Sequence, residues 1–482
     1  CSFLQIPLSL LSVVLPSSYT QHDLSQSRRY KMSIKEPRGI TILVTGAGGY
    51  IGSHACLALL EAGFNVIALD NMVNCWKDDR LPQPESLIRV QILAGRQLKF
   101  YHGELLCKPS LEKIFVDIIQ EHKKIDVCMH FAALKAVGES CAKPLEYYKN
   151  NITGTMNLIE LLEKFGCKSL VYSSSATVYG DPSNLPISEN ELTGVGLTNP
   201  YGKTKYMTEE ILKDLCNAIQ DWGVISLRYF NPVGAHVSGL IGEDPNGIPN
   251  NLVPFVAQVA AGKLPKLKVF GGDYPTKDGT GVRDYIHITD LITGHIKALE
   301  FILKDFKGFK AYNLGTGKGY SVLDVIRAFR EASGKDIPYE IVDRRPGDIA
   351  ASYCDASLAE KDLGWIATRD IHDMCQDVWR WQSRNINGFK KETDPNCILH
   401  SPKKLELLLS SLTKTELRKL DRQKHLEILE AIDEQKVNEG FDKLRRLQEV
   451  VKASEQLGHG SCGVDGSPAA QEVGLPFCGC ER

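Results

Sequence analysis

An excess of basic charge is missing. The chain of 482 residues sets 57 Lys and Arg against 59 Asp and Glu, a formal net charge of −2. Such balance offers no electrostatic footprint for nucleic acid or for an anionic membrane surface. Patterned cysteine is missing too. Among the 14 cysteines there is no Cys-x-x-Cys, and only Cys478 and Cys480 lie close together, so no disulfide framework, zinc site or other metal site is indicated. Scattered thiols suit a reducing, cytoplasmic setting. No apolar run approaches the roughly 20 residues of a membrane span. Residues 3–15 are apolar enough for a signal h-region, but no basic segment precedes them and they are too few to cross a bilayer. Residues 1–38 are therefore expected to be a leader that is disordered or foreign to the native protein, with Met32 as the true start. What remains is a globular composition, 43% hydrophobic and 24% charged, with length for about three domains at about 150 residues each.

From residue 40 onward, short β-branched runs (40–45, 65–70, 124–130, 169–173, 224–229) alternate with stretches long enough for crossover helices. That alternation predicts an α/β fold, a Rossmann-type doubly wound parallel sheet, over residues 39–230. After residue 230 come Pro- and Gly-rich stretches with shorter elements, which predict a smaller α/β lobe over 231–389 with a soft boundary. Residues 390–482 read as a linker, one or two amphipathic helices within 403–452, and a disordered tail; Thr413 and Glu416 are spaced as a capping box. The sequon at Asn151 falls in a helical pattern, so it is expected to be accidental.

The first strand runs into Gly46-Ala-Gly-Gly49-Tyr50-Ile51-Gly52 and then a helix pattern. Glycines at 46, 49 and 52 allow a tight turn, close approach of backbone to a pyrophosphate, and close packing of helix on sheet. The helix N-terminus adds free N–H groups and positive potential. Asp70 ends the next strand, where a carboxylate accepts from an adenosine ribose and repels a 2′-phosphate, so the dinucleotide is NAD rather than NADP.

Tyr201 and Lys205 stand four residues apart at the start of a helix, hence on one face. A free phenol titrates near 10 and is a poor base at neutral pH, but a nearby ammonium and a cationic nicotinamide favour the phenolate. Tyr201 is then a general base. Ser173-Ser174-Ser175 ends a strand at the edge where ligands bind an open α/β sheet, and Ser175 is the hydroxyl chosen to meet the reacting oxygen.

The three-residue glycine spacing with this Ser–Tyr–Lys set resembles the extended branch of the short-chain dehydrogenase/reductase superfamily. Longer strings sharpen the likeness: residues 130–140 (HFAALKAVGES), 173–180 (SSSATVYG), 199–203 (NPYGK), 228–232 (RYFNP) and 278–287 (DGTGVRDYIH). Together they resemble the UDP-galactose 4-epimerase (UDP-glucose 4-epimerase) family over about residues 40–389. The resemblance implies a tightly held NAD, reversible epimerisation at C4 of a UDP-hexose through a 4-keto intermediate, a role in galactose metabolism, and a homodimer, for which 144–165 and 202–219 supply a helix pair. It implies 39–230 as the NAD-binding domain and 231–389 as mainly the nucleotide-sugar-binding lobe. Tyr201, Lys205 and Ser175 would be catalytic. Gly46, Gly49, Tyr50, Ile51, Gly52, Asp70, Asn71, Glu104, Phe131 and Lys135, with Tyr201 and Lys205, would hold NAD. Ser175, Tyr201, Asn231, Asn250, Asn251, Leu252, Lys268, Val269, Phe270, Arg283, Arg345, Asp348 and Ser352 would meet the nucleotide sugar. Arg283 and Arg345 are fork donors suited to a diphosphate.

Two positions depart from that pattern. Glu104 stands where the family usually has an Asp meeting the adenine, and Lys268 where Asn is frequent. Ser352 matches a pocket position at which a small residue goes with acceptance of N-acetylated sugars and Tyr with their exclusion, so UDP-GlcNAc and UDP-GalNAc are also expected substrates; closure of the pocket by the neighbouring Tyr353 is the alternative. Rival readings on the same fold are another nucleotide-sugar epimerase, a dehydratase or a decarboxylase. A dehydratase needs an acidic pair after the active Ser or Thr, and here Ala176 and Thr177 follow Ser175. A noncatalytic NAD-binding scaffold would have no need of Ser175, Tyr201 and Lys205 together.

Overall fold

A computed structural model of the chain describes residues 39–76, 83–245, 247–345 and 347–389. The expected leader at 1–38 and the expected linker, helices and tail at 390–482 lie outside the described residues.

The apolar runs form β1 (Thr41–Thr45), β2 (Asn65–Asp70), β3 (Lys99–His102), β4 (Val127–His130), β5 (Ser169–Ser175) and β6 (Gly223–Tyr229). Next come three short strands, β7 (Asn231–Val233), β8 (Leu267–Phe270) and β9 (Val282–His287). The strands β10 (Gly308–Leu314), β11 (Gly319–Ser321), β12 (Tyr339–Val342) and β13 (Ala351–Ser352) follow. Seven of these make one parallel sheet in the order β10-β6-β5-β4-β1-β2-β3. Successive side chains point to opposite faces of a strand, so Ile42 and Val44 enter one core and Leu43 the other. The first core takes helices α1 (Tyr50–Ala62) and, much later in the chain, Ile288–Ile302; the second takes α2 (Pro200–Ala218). With both faces covered, the strands carry apolar residues at nearly every position.

Two strands of this sheet are not apparent from the sequence. β3 is a part-exposed edge that contains Lys99 and His102, and β10 carries Lys310 and Asn313 within the Pro- and Gly-rich half. β4 starts at Val127 rather than near 124, because Lys124 and Asp126 pair outside the sheet at 2.6 Å and the Asp126 carboxylate accepts from the Thr41 N–H. The Asn151 sequon lies in a π-type turn, Lys149–Thr153, and its buried amide donates to the Leu134 carbonyl and Thr204 Oγ1. Those bonds leave the amide nitrogen no room for a glycan.

After residue 230 the chain builds β11-β9-β13 with β7 on β9, and a parallel pair β8–β12. Between β9 and β11 it returns to the large sheet through Ile288–Ile302 and β10, so residue 230 does not divide one sheet from the other. Among the described residues no helix is long and apolar enough to cross a membrane. The strand order reverses between β1 and β4, and at such a switch point a crevice opens beyond the carboxyl ends of the strands. Gly46 and Phe131, each the residue after one of those ends, lie there.

Candidate active site

The turn after β1 is tight because three of its four residues, Gly46, Gly48 and Gly49, have no side chain. Gly46 sits at φ +68°, and a Cβ there would lie 2.7 Å from the Ala132 nitrogen; a Cβ on Gly52 would lie 2.1 Å from the Gly46 carbonyl. A Cβ on Gly49 would meet only that carbonyl, at 3.3 Å. Gly49 begins α1 with no side-chain cap and no acid in the first turn, so the N–H groups around Tyr50 and Ile51 suit an anion. This backbone cradle fits a dinucleotide pyrophosphate. The Tyr50 side chain turns elsewhere: its phenol donates to the Gly234 carbonyl at 2.7 Å, tying α1 to the loop after β7 and leaving its backbone for the anion.

Asp70 is buried at the end of β2 and accepts from the N–H groups of Gly48 (2.8 Å) and Met72 (2.7 Å). Burial raises its carboxyl, and those bonds act against the rise. Asn71 donates its amide to Glu104 Oε2 at 2.8 Å, while Glu104 Oε1 accepts from the Leu106 N–H at 3.1 Å. The longer acid thus folds onto its own turn. Phe131 packs against His295, with ring centroids 5.0 Å apart, and Lys135 pairs with Glu243 at 2.7 Å.

Asn199 caps α2 by accepting from the Gly202 N–H at 2.8 Å, and Pro200 presets the first turn, which brings Tyr201 and Lys205 onto one face beside the end of β5. Lys205 Nζ donates to the Ser173 carbonyl at 2.5 Å and lies 4.9 Å from the Tyr172 ring centre and 5.9 Å from that of Tyr201. Ser175 Oγ accepts from both the N–H (3.2 Å) and the hydroxyl (3.0 Å) of Thr177. Two acceptances leave the Ser175 proton free to be given to the Tyr201 oxygen. Burial pushes Tyr201 up to about 12, with Ser175 opposing, and pushes Lys205 down to about 7, with Glu209 opposing. The ammonium donates to the Ser173 carbonyl, burial of the phenol outweighs its Ser175 bond, and a bound nicotinamide cation would add a further pull toward the phenolate.

Glu209, one turn beyond Lys205, was not legible as part of the site. Its carboxylate pairs with Arg228 at 2.6 Å and accepts from Ser174 (2.6 Å) and Ser226 (2.8 Å). Arg228 in turn donates to the Tyr179 hydroxyl at 2.9 Å, which donates to Asn313 at 2.7 Å. These bonds tie α2 to β5, β6 and β10. Only tertiary contact reveals them, since a lone Glu on a helix carries no sequence signal.

In the second half of the chain, Arg345 and Asp348 form a forked pair (3.1 and 2.9 Å), Asp348 lies 4.0 Å from Arg283, and the Arg345 guanidinium lies 5.7 Å from the Phe270 ring centre. Ser352 pairs with Arg283 in the β13–β9 register. Five of the expected substrate residues are thereby joined. Asn231 donates its amide to the Asp284 carbonyl at 3.2 Å. Asn250 and Asn251 are exposed at the start of the helix Leu252–Ala260, and Lys268 is exposed on β8. The Val269 side chain, at 1% exposure, faces the core, so only its backbone can line a site. Among the described residues no group of three or more acidic, His or Cys side chains is placed to hold a metal.

A sheet of this order, with a glycine cradle at its switch point and Tyr and Lys one turn apart beside the Ser-bearing strand, is the arrangement of a short-chain dehydrogenase/reductase working with NAD. Residues 42–315 match the model of the NAD dependent epimerase/dehydratase family. The UDP-glucose 4-epimerase of Drosophila melanogaster is 58% identical over 350 residues, which cover 72% of this chain and 98% of that one. The crystal structure of UDP-glucose 4-epimerase from Bifidobacterium longum in complex with NAD+ and UDP is 50% identical with a TM-score of 0.68, covering 72% of this chain and 99% of that one. The UDP-Glc/GlcNAc 4-epimerase of Campylobacter jejuni is 34% identical with a TM-score of 0.59, covering 71% and 99%. The chain belongs to the NAD dependent epimerase/dehydratase family and, within it, to the UDP-glucose 4-epimerases.

Proposed function

We propose that this chain interconverts UDP-galactose and UDP-glucose at C4 through a transient 4-keto sugar, as an NAD-dependent isomerase. The observation that carries the reading is the meeting of Ser175, Tyr201 and Lys205 at the carboxyl edge of the sheet, in a chain whose glycine cradle fits the cofactor. Bound NAD supplies a hydride acceptor and, once reduced, a donor. Tyr201 removes the proton of the 4-hydroxyl as hydride leaves the carbon, and returns it to the 4-oxygen when hydride comes back to the opposite face. Redox is balanced over the cycle. Ser175 hydrogen-bonds the 4-oxygen, and Lys205 keeps positive charge beside the phenol and holds the nicotinamide ribose. Gly46, Gly49, Tyr50, Ile51 and Gly52 cradle the pyrophosphate, Asp70 and Asn71 take the adenosine end with Glu104, and Phe131 and Lys135 flank the cleft. Arg283 and Arg345 fork onto the sugar-nucleotide diphosphate, with Asp348 orienting both. Asn231, Asn250, Asn251, Leu252, Lys268, Phe270 and the backbone of Val269 complete the contacts. Purified protein incubated with UDP-galactose tests the reading by its yield of UDP-glucose.

Ser352 favours a wider substrate range, since a small side chain opposite Arg283 leaves room for a 2-acetamido group, and the Campylobacter jejuni relative is a UDP-Glc/GlcNAc 4-epimerase by name. UDP-GlcNAc and UDP-GalNAc are then substrates too. Ser352→Tyr abolishes turnover of the N-acetylated pair and spares the plain pair; loss of both, or of neither, rejects the steric argument. A homodimer in the cytoplasm completes the proposal. Leu145 (73% exposed), Met156 (44%) and Met207 (40%) lie on the helices expected to pair, and light scattering reads a dimer mass if they do.

A further inference from the structure

We propose that Asp284 is a positioning residue for the nucleotide sugar: a buried carboxylate that sets Arg283, Ser352 and Asn231 in register with one another. The inference rests on the function proposed above. Asp284 is 0% exposed, and among the described residues no Lys or Arg pairs with it. Five donors converge on it instead. Oδ1 accepts from the Thr316 N–H (2.8 Å) and hydroxyl (2.7 Å), and Oδ2 from the Gly317 N–H (2.9 Å), the Cys354 N–H (3.2 Å) and the Cys354 thiol (3.3 Å).

A carboxylate with no cation is costly to bury unless hydrogen bonds replace its water, and three of these donors are backbone N–H groups, a nest built for an anion. The turn is shaped around it. A Cβ on Gly315 would lie 2.6 Å from Asp284 Oδ2 and 2.5 Å from the Cys354 sulfur, so only glycine lets the backbone close over the carboxylate.

What the nest fastens are the elements bearing the proposed substrate contacts. Side chains alternate along β9, so Asp284 holds the strand from one face while Arg283 emerges on the other. Cys354 follows β13 by two residues, and its two bonds to Asp284 fix the strand in which Ser352 lies opposite Arg283. On the other side of β9, the Asp284 carbonyl accepts from Asn231 on β7. Tyr201, Ser175 and Lys205 stand on α2 and β5, outside this unit. Loss of the nest therefore displaces the substrate contacts relative to one another and leaves the proton-transfer groups in place.

The test uses the full-length, NAD-loaded protein. Asp284→Asn keeps the volume but turns an amide N–H₂ toward backbone N–H donors. The expected result is a KM for UDP-galactose raised at least about tenfold, a Kd for UDP raised by a similar factor, kcat within about threefold of wild type, and unchanged NAD content. Unchanged KM and Kd, or a fall in kcat with KM unchanged, overturns the proposal. If Asp284→Asn does not fold, Thr316→Val removes one donor while Thr316→Ser keeps it; weaker UDP binding in the first, restored in the second, is expected, and equal binding in both overturns it. Failure of wild-type protein to convert UDP-galactose would instead refute the proposed function, and the UDP titration would still decide on Asp284.

Discussion

At the scale of the residue, Tyr201 is a weak base made useful by its neighbours. Burial, opposed by the Ser175 proton, leaves the phenol at about 12. Tyr201→Phe deletes the oxygen that takes the proton and keeps the ring, so kcat falls at least about a hundredfold while NAD content is unchanged. Turnover near wild type in that variant assigns the base to another residue. The glycines, Tyr201 and Lys205 were legible from sequence because their chemistry is local: neighbours along the chain make the turn and share the helix face. Asp284 and Glu209 were not. The partners of Asp284 lie at 316, 317 and 354, and those of Glu209 at 174, 226 and 228, so only folding brings them together. Nor does spacing say that the Lys205 ammonium donates to the Ser173 carbonyl.

At the scale of the element, α2 is held in place by charge as well as by packing. The Glu209–Arg228 pair is buried at both ends, 0% and 4% exposed at the side chains. Surrounding hydrogen bonds keep the Glu209 carboxyl below its ordinary value despite burial. Removing one partner of such a pair leaves an uncompensated charge, and Glu209→Ala is expected to lower unfolding stability by about 3–5 kcal/mol in denaturant titration. A loss under about 1 kcal/mol would mean that Arg228 finds water or another acceptor. Strands buried on both faces were read to their ends, as in β2, where Asn65 and Asp70 bracket the unbroken apolar run 66–69. The edge strand β3 and the returning strand β10 were missed because their Lys, His and Asn side chains break that run.

At the scale of the whole molecule, the parallel, doubly wound sheet followed from the alternation of strand and helix. The return of Ile288–Ile302 and β10 to the large sheet did not, because nothing local distinguishes a strand that joins one sheet from a strand that joins another. Stability of the assembled chain carries a pH signature. Burial holds His54 and His130 down to about 3 and His236 and His295 down to about 4, against an ordinary 6.5. At pH values between, the folded chain leaves them neutral while the unfolded chain protonates them, so stability falls as pH drops below about 6.5. Asp70, Glu189 and Asp284, raised by burial, act in the opposite sense, and the four histidines set the sign expected here. The thermal midpoint should be at least about 5 °C lower at about pH 5 than at about pH 7.5, and a higher midpoint at the acid end would contradict this assignment.

The central claim is that a cofactor-retaining site inverts C4 without net oxidation. Incubating the purified protein with UDP-galactose, with and without added NAD+, and following UDP-glucose and free NADH by chromatography tests it most directly. The expected result is UDP-glucose formation with no accumulating NADH. Folded protein that forms no UDP-glucose under either condition, or that accumulates NADH in step with an oxidised sugar, would contradict it.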